Sequence, residues 1–124
     1  MKTIKIHGKD YVLISERIKA FRSVHADWTI KTNIVNMSQE ECVVKAEILD
    51  PAGRIISDGY AHEMRNASHI NKTSYLENCC TSAIGRALGI MGIGIDTSIA
   101  SAEEVLRAME QQGNLDKGVK NAKV

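Results

Sequence analysis

The stretch NKTSYLENCCTSAIGRALGIMGIGIDTSIA, residues 71–100, decides the fold, because it predicts one long helix followed by a loop with three glycines. Ser74 with Glu77 three residues later forms a capping-box pattern, which marks the first turn of a helix. Apolar residues then recur at helical spacing, and Gly89 and Gly92 predict where the helix ends. The helix therefore has a broad apolar face that must pack on another layer.

Three runs before this helix alternate in the manner of β-strands, over residues 28–36, 42–49 and 54–65. The middle run places four apolar residues on one face: Cys42, Val44, Ala46 and Ile48. The two connections, at 38–40 and 50–53, are rich in residues that favour turns. Together these runs predict a three-stranded antiparallel meander.

The third run has small residues on one face and large ones on the other. Gly59 and Ala61 lie on the face where the long helix packs, and they allow Ala83 and Gly85 of that helix to approach the sheet closely. The opposite face, which projects outward or towards a neighbouring subunit, carries Tyr60, His62 and Met64.

The N-terminal segment predicts a hairpin followed by a helix. Two short apolar-rich runs, 2–7 and 10–14, flank the turn residues Gly8-Lys9. Ser15 is the expected cap of a helix over 16–24, whose apolar face carries Ile18, Phe21 and Val24.

The C-terminal segment predicts a short helix over about 102–112, which begins at the capping box Ser101–Glu104 and stops at Gly113. The whole sequence therefore predicts one α+β domain over residues 1–113. Its elements are an N-terminal hairpin and helix, a three-stranded meander and long helix forming a β-β-β-α core, and a short C-terminal helix. A disordered polar tail is expected over 114–124.

Composition places few restrictions on function. The chain has 124 residues, 44% apolar, 25% charged and a net charge of +1, which is typical of a soluble globular protein and argues against a strongly basic DNA-packaging protein. The N-terminus has no long apolar run, so we expect a cytoplasmic protein without a membrane partner. The three cysteines are expected to be reduced thiols.

Catalytic and cofactor sites are not predicted. The glycine loop follows a helix instead of preceding one, so it cannot serve as a nucleotide-binding P-loop. The four histidines lack metal-ligand spacing, and the adjacent pair Cys79-Cys80 has poor geometry for chelation. No nucleophile, acid or base set stands out. We therefore expect a protein that is not an enzyme and that binds neither a metal nor a cofactor.

Arg86 is the first candidate binding residue. In helical projection it lines up with Asn78 and Ser82 in a polar stripe. Small neighbouring residues would admit a phosphate backbone, to which a guanidinium donates two hydrogen bonds. The alternative interpretation is a solvated or salt-bridged arginine on an amphipathic helix, and the spacing alone favours this alternative.

Four further residues lie near the same predicted groove. Tyr60 and His62 are on the outward sheet face, and Arg65 and Lys72 flank the loop between the sheet and the long helix. They would line a groove for a phosphate backbone together with Arg86, or else form an exposed sheet face with solvated charges. A second candidate basic surface is near the N-terminus, where the cations are Lys2, Lys5, Lys9, Arg17, Lys19 and Arg22.

The segment INKTSYLENCCTSAIGRALGIMGIGIDTSIASAEEV, residues 70–105, resembles a segment of small phage and prophage proteins that accompany DNA recombination. More distantly, TSAIGRAL at 81–88 is similar to a helix of the Rad fifty-two family of single-strand annealing proteins, which shares a β-β-β-α core with phage annealing proteins of the Erf type. The element order predicted above agrees with that core.

The resemblance implies a phage recombination protein that binds single-stranded DNA by its phosphate backbone and promotes strand annealing. It also implies assembly into homo-oligomeric rings or filaments, with host or phage recombination proteins as further partners. Arg86 is then the main phosphate contact, followed by Lys72 and Arg65. The low net charge and few aromatic residues favour an alternative, a protein-interaction module that binds or inhibits a host nuclease, recombinase or defence protein.

Overall fold

A computed structural model describes the backbone of residues 1–66 and 71–122, and the side chains of 1–66 and 74–113. Its elements are β1 (Thr3–Ile6), β2 (Lys9–Val12), α1 (Ile14–Val24), β3 (Thr29–Met37), β4 (Glu41–Leu49), β5 (Ile55–Met64), α2 (Asn71–Ile90) and α3 (Ala102–Ala122). Hairpin, helix, three-stranded antiparallel sheet, long helix and C-terminal helix follow in the predicted order. The α+β prediction is therefore confirmed.

The N-terminal hairpin turns at His7 and Gly8, whose φ angles are 50° and 81°. Positive φ at both positions is what a tight turn between two antiparallel strands needs, and glycine adopts it without strain. The hairpin leads directly into α1, so the turn determines where that helix starts.

Helix α1 is capped by a distant residue and not by Ser15, so the predicted cap is wrong. The residue before the helix is Leu13, and Ser15 lies inside the first turn. The Ile14 N–H donates instead to both carboxylate oxygens of Glu103 in α3, at 3.1 and 3.2 Å. A carboxylate there satisfies a free amide and complements the helix dipole. Val24, expected on the apolar face, is 74% exposed, whereas Phe21 is fully buried.

The sheet has the order β3-β4-β5, with antiparallel pairing throughout and an irregularity between Ile34 and Asn36. The inward residues of β4 are all completely buried, as the alternation predicts: Cys42, Val44, Ala46 and Ile48. Helices α1 and α2 contribute Phe21, Ala83, Ala87 and Leu88 to the same core. The outward face of the sheet has no helix on it within the described residues.

Close contact between α2 and β5 depends on Gly59. A Cβ at that position would lie 2.6 Å from the Ala87 nitrogen and 2.9 Å from the Ala83 oxygen, both backbone atoms. Ser57 Oγ donates to the Ala87 oxygen at 2.8 Å, which fastens the same turn of α2 to the strand. Gly85 was expected to face the sheet as well, but it faces Ile14 of α1. Its small size allows two helices to meet.

Helix α2 ends where the sequence predicts, but it begins at Asn71, before the predicted capping box. Ser74 has non-helical angles, φ −138° and ψ 28°, so a kink stands where the capping box predicts the start. The helix ends at Ile90, beside the predicted glycines. The polar loop that precedes it, 67–70, lies outside the described residues.

Helix α3 continues through Gly113 to Ala122, beyond its predicted end. Glycine lowers helix stability without forbidding a helix. Its start is as predicted, because Ser101 Oγ accepts the Glu104 N–H at 3.2 Å and donates to Glu104 Oε1 at 3.3 Å. The division into a domain over 1–113 and a tail over 114–124 stays a prediction. Within the described residues, no helix has the length and apolar character needed to cross a membrane.

The cysteines lie between the sheet and α2. Cys42 and Cys79 are buried, and Cys80 is partly exposed. The Cys79 thiol donates to the Ala61 carbonyl at 3.2 Å. Burial raises the pKa of Cys79 to about 12, and it raises the pKa of Cys42 and Cys80 as well.

This burial predicts a pH effect on stability. Cys79 keeps its proton in the folded protein up to a pH of about 12, whereas in the unfolded chain a thiol ionises near a pKa of about 8.5. Its contribution is therefore complete below about pH 8.5 and is lost as the pH rises from there towards about 12. Urea midpoints at about pH 8 and about pH 10 should differ more in the wild type than in Cys79→Ala. Equal pH dependence in the two proteins would contradict this assignment.

Candidate nucleic-acid interface

The polar stripe predicted on α2 exists, but α3 covers most of it. The Arg107 guanidinium of α3 donates through Nη1 to the Asn78 carbonyl at 3.0 Å and to Ser82 Oγ. Ser82 is only 3% exposed. This part of the stripe is therefore an interface within the chain and not an open groove.

Arg86 completes the stripe at the edge of the sheet, with its side chain 50% exposed. Its Nε donates to Glu104 Oε2 at 3.2 Å, and its Nη1 donates to the Tyr60 carbonyl of the edge strand β5 at 2.9 Å. This geometry is that of a salt-bridged arginine, which was the alternative interpretation of the sequence. A phosphate contact by Arg86 stays a prediction.

A buried ion pair beside the stripe was missed by the sequence argument. Arg107 Nη1 lies 2.7 Å from Glu63 Oε1, and the two side chains are 11% and 8% exposed. A signal did exist, because Glu63 is the one carboxylate at an inward position of β5, among Ser57, Gly59 and Ala61. A buried carboxylate requires a charged or hydrogen-bonding partner, and Arg107 supplies it.

A small cavity of about 130 Å³ lies between β5, α2 and α3. Two guanidinium groups and two carboxylates line it, from Arg86, Arg107, Glu63 and Glu104. Because these charges are matched within ion pairs, the cavity as it stands has no excess positive charge to attract a phosphate.

Tyr60 and His62 lie on the outward face of the sheet, as predicted. Tyr60 is 50% exposed, and Lys45 Nζ lies 5.6 Å from the centre of its ring. His62 Nε2 is 2.9 Å from Glu41 Oε2. Both side chains therefore have partners on their own sheet, and His62 also lines the cavity beside Arg86.

Neither Arg65 nor Lys72 has a contact with Arg86 among the described side chains. Arg65 is exposed just after β5, where its backbone N–H donates to the Glu40 carbonyl in the β3–β4 turn at 2.7 Å. The side chain of Lys72 lies outside the described residues. The structure thus brings Tyr60 and His62 together on one face and Arg86 to the adjoining edge, while a single groove holding all five residues stays a prediction.

The second candidate surface, formed by the hairpin and α1, loses one member. Arg17 is fully buried and is no surface cation. The remaining five are exposed: Lys2, Lys5, Lys9, Lys19 and Arg22. Hairpin and helix adjoin each other, since Thr3 and Val12 share a cleft of about 540 Å³ with Ala20 and Val24. We call this the hairpin–α1 surface.

Charge is distributed unevenly along the chain. Residues 1–27 have six lysines and arginines against three carboxylates, whereas residues 28–113 have seven against eleven. Two of the surface cations face carboxylates at long distance, Lys5–Asp10 and Lys19–Glu16, both 3.9 Å. Exposed pairs of this length add little energy. Even without the buried Arg17, residues 1–27 have more cations than carboxylates, unlike residues 28–113, and residues 114–124 add three lysines and one aspartate.

Comparison with known families supplies the decisive observation. A family model described as "Slr1353 N-terminal dsRNA-binding domain-like" matches residues 18–91, more than half of the chain. The chain belongs to this family. Neither the curated proteins nor the solved structures gave a match. The matched span covers most of α1, the three-stranded sheet and α2, and the hairpin and α3 lie outside it.

The family match shows that the resemblance to phage annealing proteins and to the Rad fifty-two and Erf superfamily is wrong. The β-β-β-α order on which it depended is present, but it is part of the longer unit that begins with α1. A three-stranded meander backed by a helix is a simple arrangement that serves many functions, so element order does not identify a family.

Metal chemistry has no candidate centre in the described side chains. No three residues of the types His, Cys, Asp or Glu lie close enough there to hold an ion together. The pairs that do occur, such as His62 with Glu41, are ion pairs or hydrogen bonds on the sheet surface.

Proposed function

We propose that this domain binds double-stranded RNA through the ribose–phosphate backbone, using the hairpin–α1 surface, and without catalysis. The observation that carries the proposal is the family match over the helix–sheet–helix unit, whose printed description is dsRNA-binding domain-like. Domains of that kind recognise the shape and the phosphates of the A-form duplex more than its sequence. Cations on a rigid surface are the chemistry that such recognition needs.

The charge distribution supports this choice of surface. A polyanion is attracted to the positive part of a protein with uneven charge, and within residues 1–113 the excess of cations lies in residues 1–27. Lys5 and Lys19 have side chains that are 77% and 73% exposed, so phosphate groups can reach them. The acidic β3–β4 turn, with Glu40 and Glu41, would repel the same ligand.

The aromatic residues favour a duplex over a single strand. Proteins that hold single strands stack bases on exposed aromatic rings. Here Phe21 and Trp28 are packed against His25, with the His25 and Trp28 ring centres 3.8 Å apart. Among the described side chains, Tyr60 is the one aromatic that is widely exposed. The domain therefore offers backbone contacts and little base stacking.

The proposal predicts that reversing two charges on the hairpin–α1 surface weakens RNA binding. The double variant Lys9→Glu/Lys19→Glu should bind a duplex RNA of about 16 base pairs at least about tenfold more weakly, with a salt slope smaller by about two units. Fluorescence anisotropy at several salt concentrations measures both quantities.

The matched control is Lys31→Glu, which reverses an exposed lysine of β3 outside that surface. Its loss of binding free energy should be less than half of the loss caused by the double variant. Equal losses in both proteins would remove the surface from the proposal. Tighter binding of the wild type to oligothymidine than to the RNA duplex would contradict the choice of nucleic acid.

Other functional hypotheses have less support. Rings, filaments and recombination partners were implied by the annealing resemblance and lose that support with it. The protein-interaction alternative keeps one observation in its favour. The edge strand β3 exposes Ile34, Val35 and Met37 by 53%, 57% and 47%, and exposed apolar edges are typical sites of strand pairing.

A further inference from the structure

Helix α3 lies outside the matched span 18–91, yet it makes specific polar contacts with both helices inside it. Glu103 caps α1 at Ile14, Glu104 pairs with Arg86, and Arg107 binds Asn78, Ser82 and Glu63. These contacts cover the one polar stripe of α2 that the sequence singled out as a phosphate-binding face. An element outside the matched span therefore covers a surface of α2 that would otherwise be open.

We propose that Arg86 is a second phosphate site, in addition to the hairpin–α1 surface, held closed in the free protein by Glu104, whose carboxylate occupies the position of a phosphate oxygen. This inference rests on the proposed function for its natural ligand. Carboxylate and phosphate groups are interchangeable partners of a guanidinium, because both present oxygens to its N–H donors. A phosphate that displaces Glu104 would keep the Nε contact.

The two ion pairs of α3 differ in a way that allows local opening. Arg107 and Glu63 are nearly buried, so that pair keeps α3 attached. In the second pair the Arg86 side chain is 50% exposed and the Glu104 side chain 13%, so a polyanion can approach the guanidinium from solvent and compete with the carboxylate for it. Arg86 can therefore exchange its partner while Arg107 and Glu63 keep α3 in place.

Glu104 has a second hydrogen-bond partner, Ser101, which it keeps when Arg86 is released. Its other carboxylate oxygen, Oε1, already accepts the Ser101 hydroxyl at 3.3 Å in the capping box of α3. Release of Arg86 thus breaks one ion pair and leaves the cap intact. Beside Arg86 the cavity of about 130 Å³ opens next to His62 and Gln111, which can donate further hydrogen bonds to an entering phosphate.

The test uses the full chain with Glu104→Gln. Glutamine keeps the capping box, since this motif accepts either residue at the position, but it removes the charge that neutralises Arg86. The variant should bind duplex RNA about fivefold more tightly than the wild type, with a salt slope about one unit steeper, as one added phosphate contact requires. Arg86→Gln in the same background should abolish the gain.

Glu77→Gln is the matched control, because Glu77 is an exposed carboxylate of α2 whose loss changes net charge equally. An equal gain in this control would overturn the inference, since a general charge effect would then explain it. No gain for Glu104→Gln would overturn it as well.

A second measurement separates this inference from the proposed function. Inorganic phosphate is titrated while the ¹⁵N signal of the Arg86 Nε is followed by NMR in both proteins. The signal should respond at lower phosphate concentration in Glu104→Gln than in the wild type. If it does so while neither protein binds RNA, the gated site stands and the RNA proposal fails. If both signals respond alike, the gate fails whatever RNA does.

Discussion

Replacing Arg17 with methionine is expected to destabilise the domain by about 3–5 kcal/mol, the largest effect of any single change considered. Arg17 is 0% exposed, although it lies on a helix whose neighbouring Lys19 is at the surface. Its Nη1 donates to the Gly85 carbonyl at 2.9 Å, and its Nη2 donates to the carbonyls of Gly94, Ser98 and Ile99 at 3.2, 3.2 and 2.8 Å. Methionine fills similar space and leaves these four acceptors without that donor.

The reason for the large effect is that one side chain holds three parts of the chain together. The four carbonyls belong to α2 and to the loop between α2 and α3, while Arg17 itself belongs to α1. Burial lowers the pKa of the guanidinium, and the charges of Glu104 and Glu103 oppose that shift. The group remains charged at any practical pH, so the loop stays fastened over the pH range of function.

Urea unfolding followed by circular dichroism tests this expectation, with Arg22→Met as the matched control. Arg22 is on the same helix but exposed, and its Nη1 donates to the Trp28 carbonyl. The control should lose about 1 kcal/mol or less. Arg17→Lys should remain strongly destabilised, because an ammonium cannot reproduce the planar fork. Equal urea midpoints for Arg17→Met and Arg22→Met would show that the four carbonyl contacts contribute little.

The sequence predicts those features that depend on near neighbours. Alternation predicts the strands and the buried side of β4, because period two is the geometry of any strand that packs on one side. The pattern Ser101–Glu104 predicts the start of α3, because a capping box is complete within four residues. Gly59 and Ala61 predict the side of β5 that meets α2, because small residues mark close approach.

Features that depend on distant parts of the chain were not predictable in this way. Arg17 occupies a position that a helical pattern assigns to the surface or to a salt bridge. No sequence signal near Arg17 predicts that its guanidinium binds the carbonyls of Gly94, Ser98 and Ile99. The cap of α1 comes from Glu103, some ninety residues away along the chain. The cover on Arg86 likewise requires α3 to fold back on α2. Each of these depends on packing, which sequence spacing does not encode.

The family of this chain was likewise not predictable from a short stretch of sequence. The sequence of one helix and a common order of elements resembled those of annealing proteins. The family model that matches residues 18–91 is instead described as dsRNA-binding domain-like. A stretch of one helix samples one surface of a domain, and different families can share it. Agreement over α1, the sheet and α2 together constrains the fold and its relatives far more strongly.

Gly59→Ala is expected to destabilise the domain by about 3 kcal/mol, because the added methyl group has no room and its neighbours cannot move independently. It would lie 2.6 Å from the Ala87 nitrogen and 2.9 Å from the Ala83 oxygen, so α2 itself must shift away from β5. Gly85→Ala also meets close neighbours, at 2.8 Å, but they are side-chain atoms of Ile14 and not backbone atoms. Its cost should be smaller.

Gly113→Ala is the matched control for this change, since no atom lies within 4 Å of the Cβ it would add. It should be neutral or stabilising by up to about 1 kcal/mol, as alanine favours a helix. Urea midpoints rank the three variants, and an unchanged midpoint for Gly59→Ala would mean that α2 does not lie so near the strand. The same displacement should separate Arg86 from the Tyr60 carbonyl, now 2.9 Å from its Nη1. The NMR signal of the Arg86 side chain should therefore change in Gly59→Ala and stay constant in Gly113→Ala, which connects the packing of one glycine to the position of the proposed phosphate site.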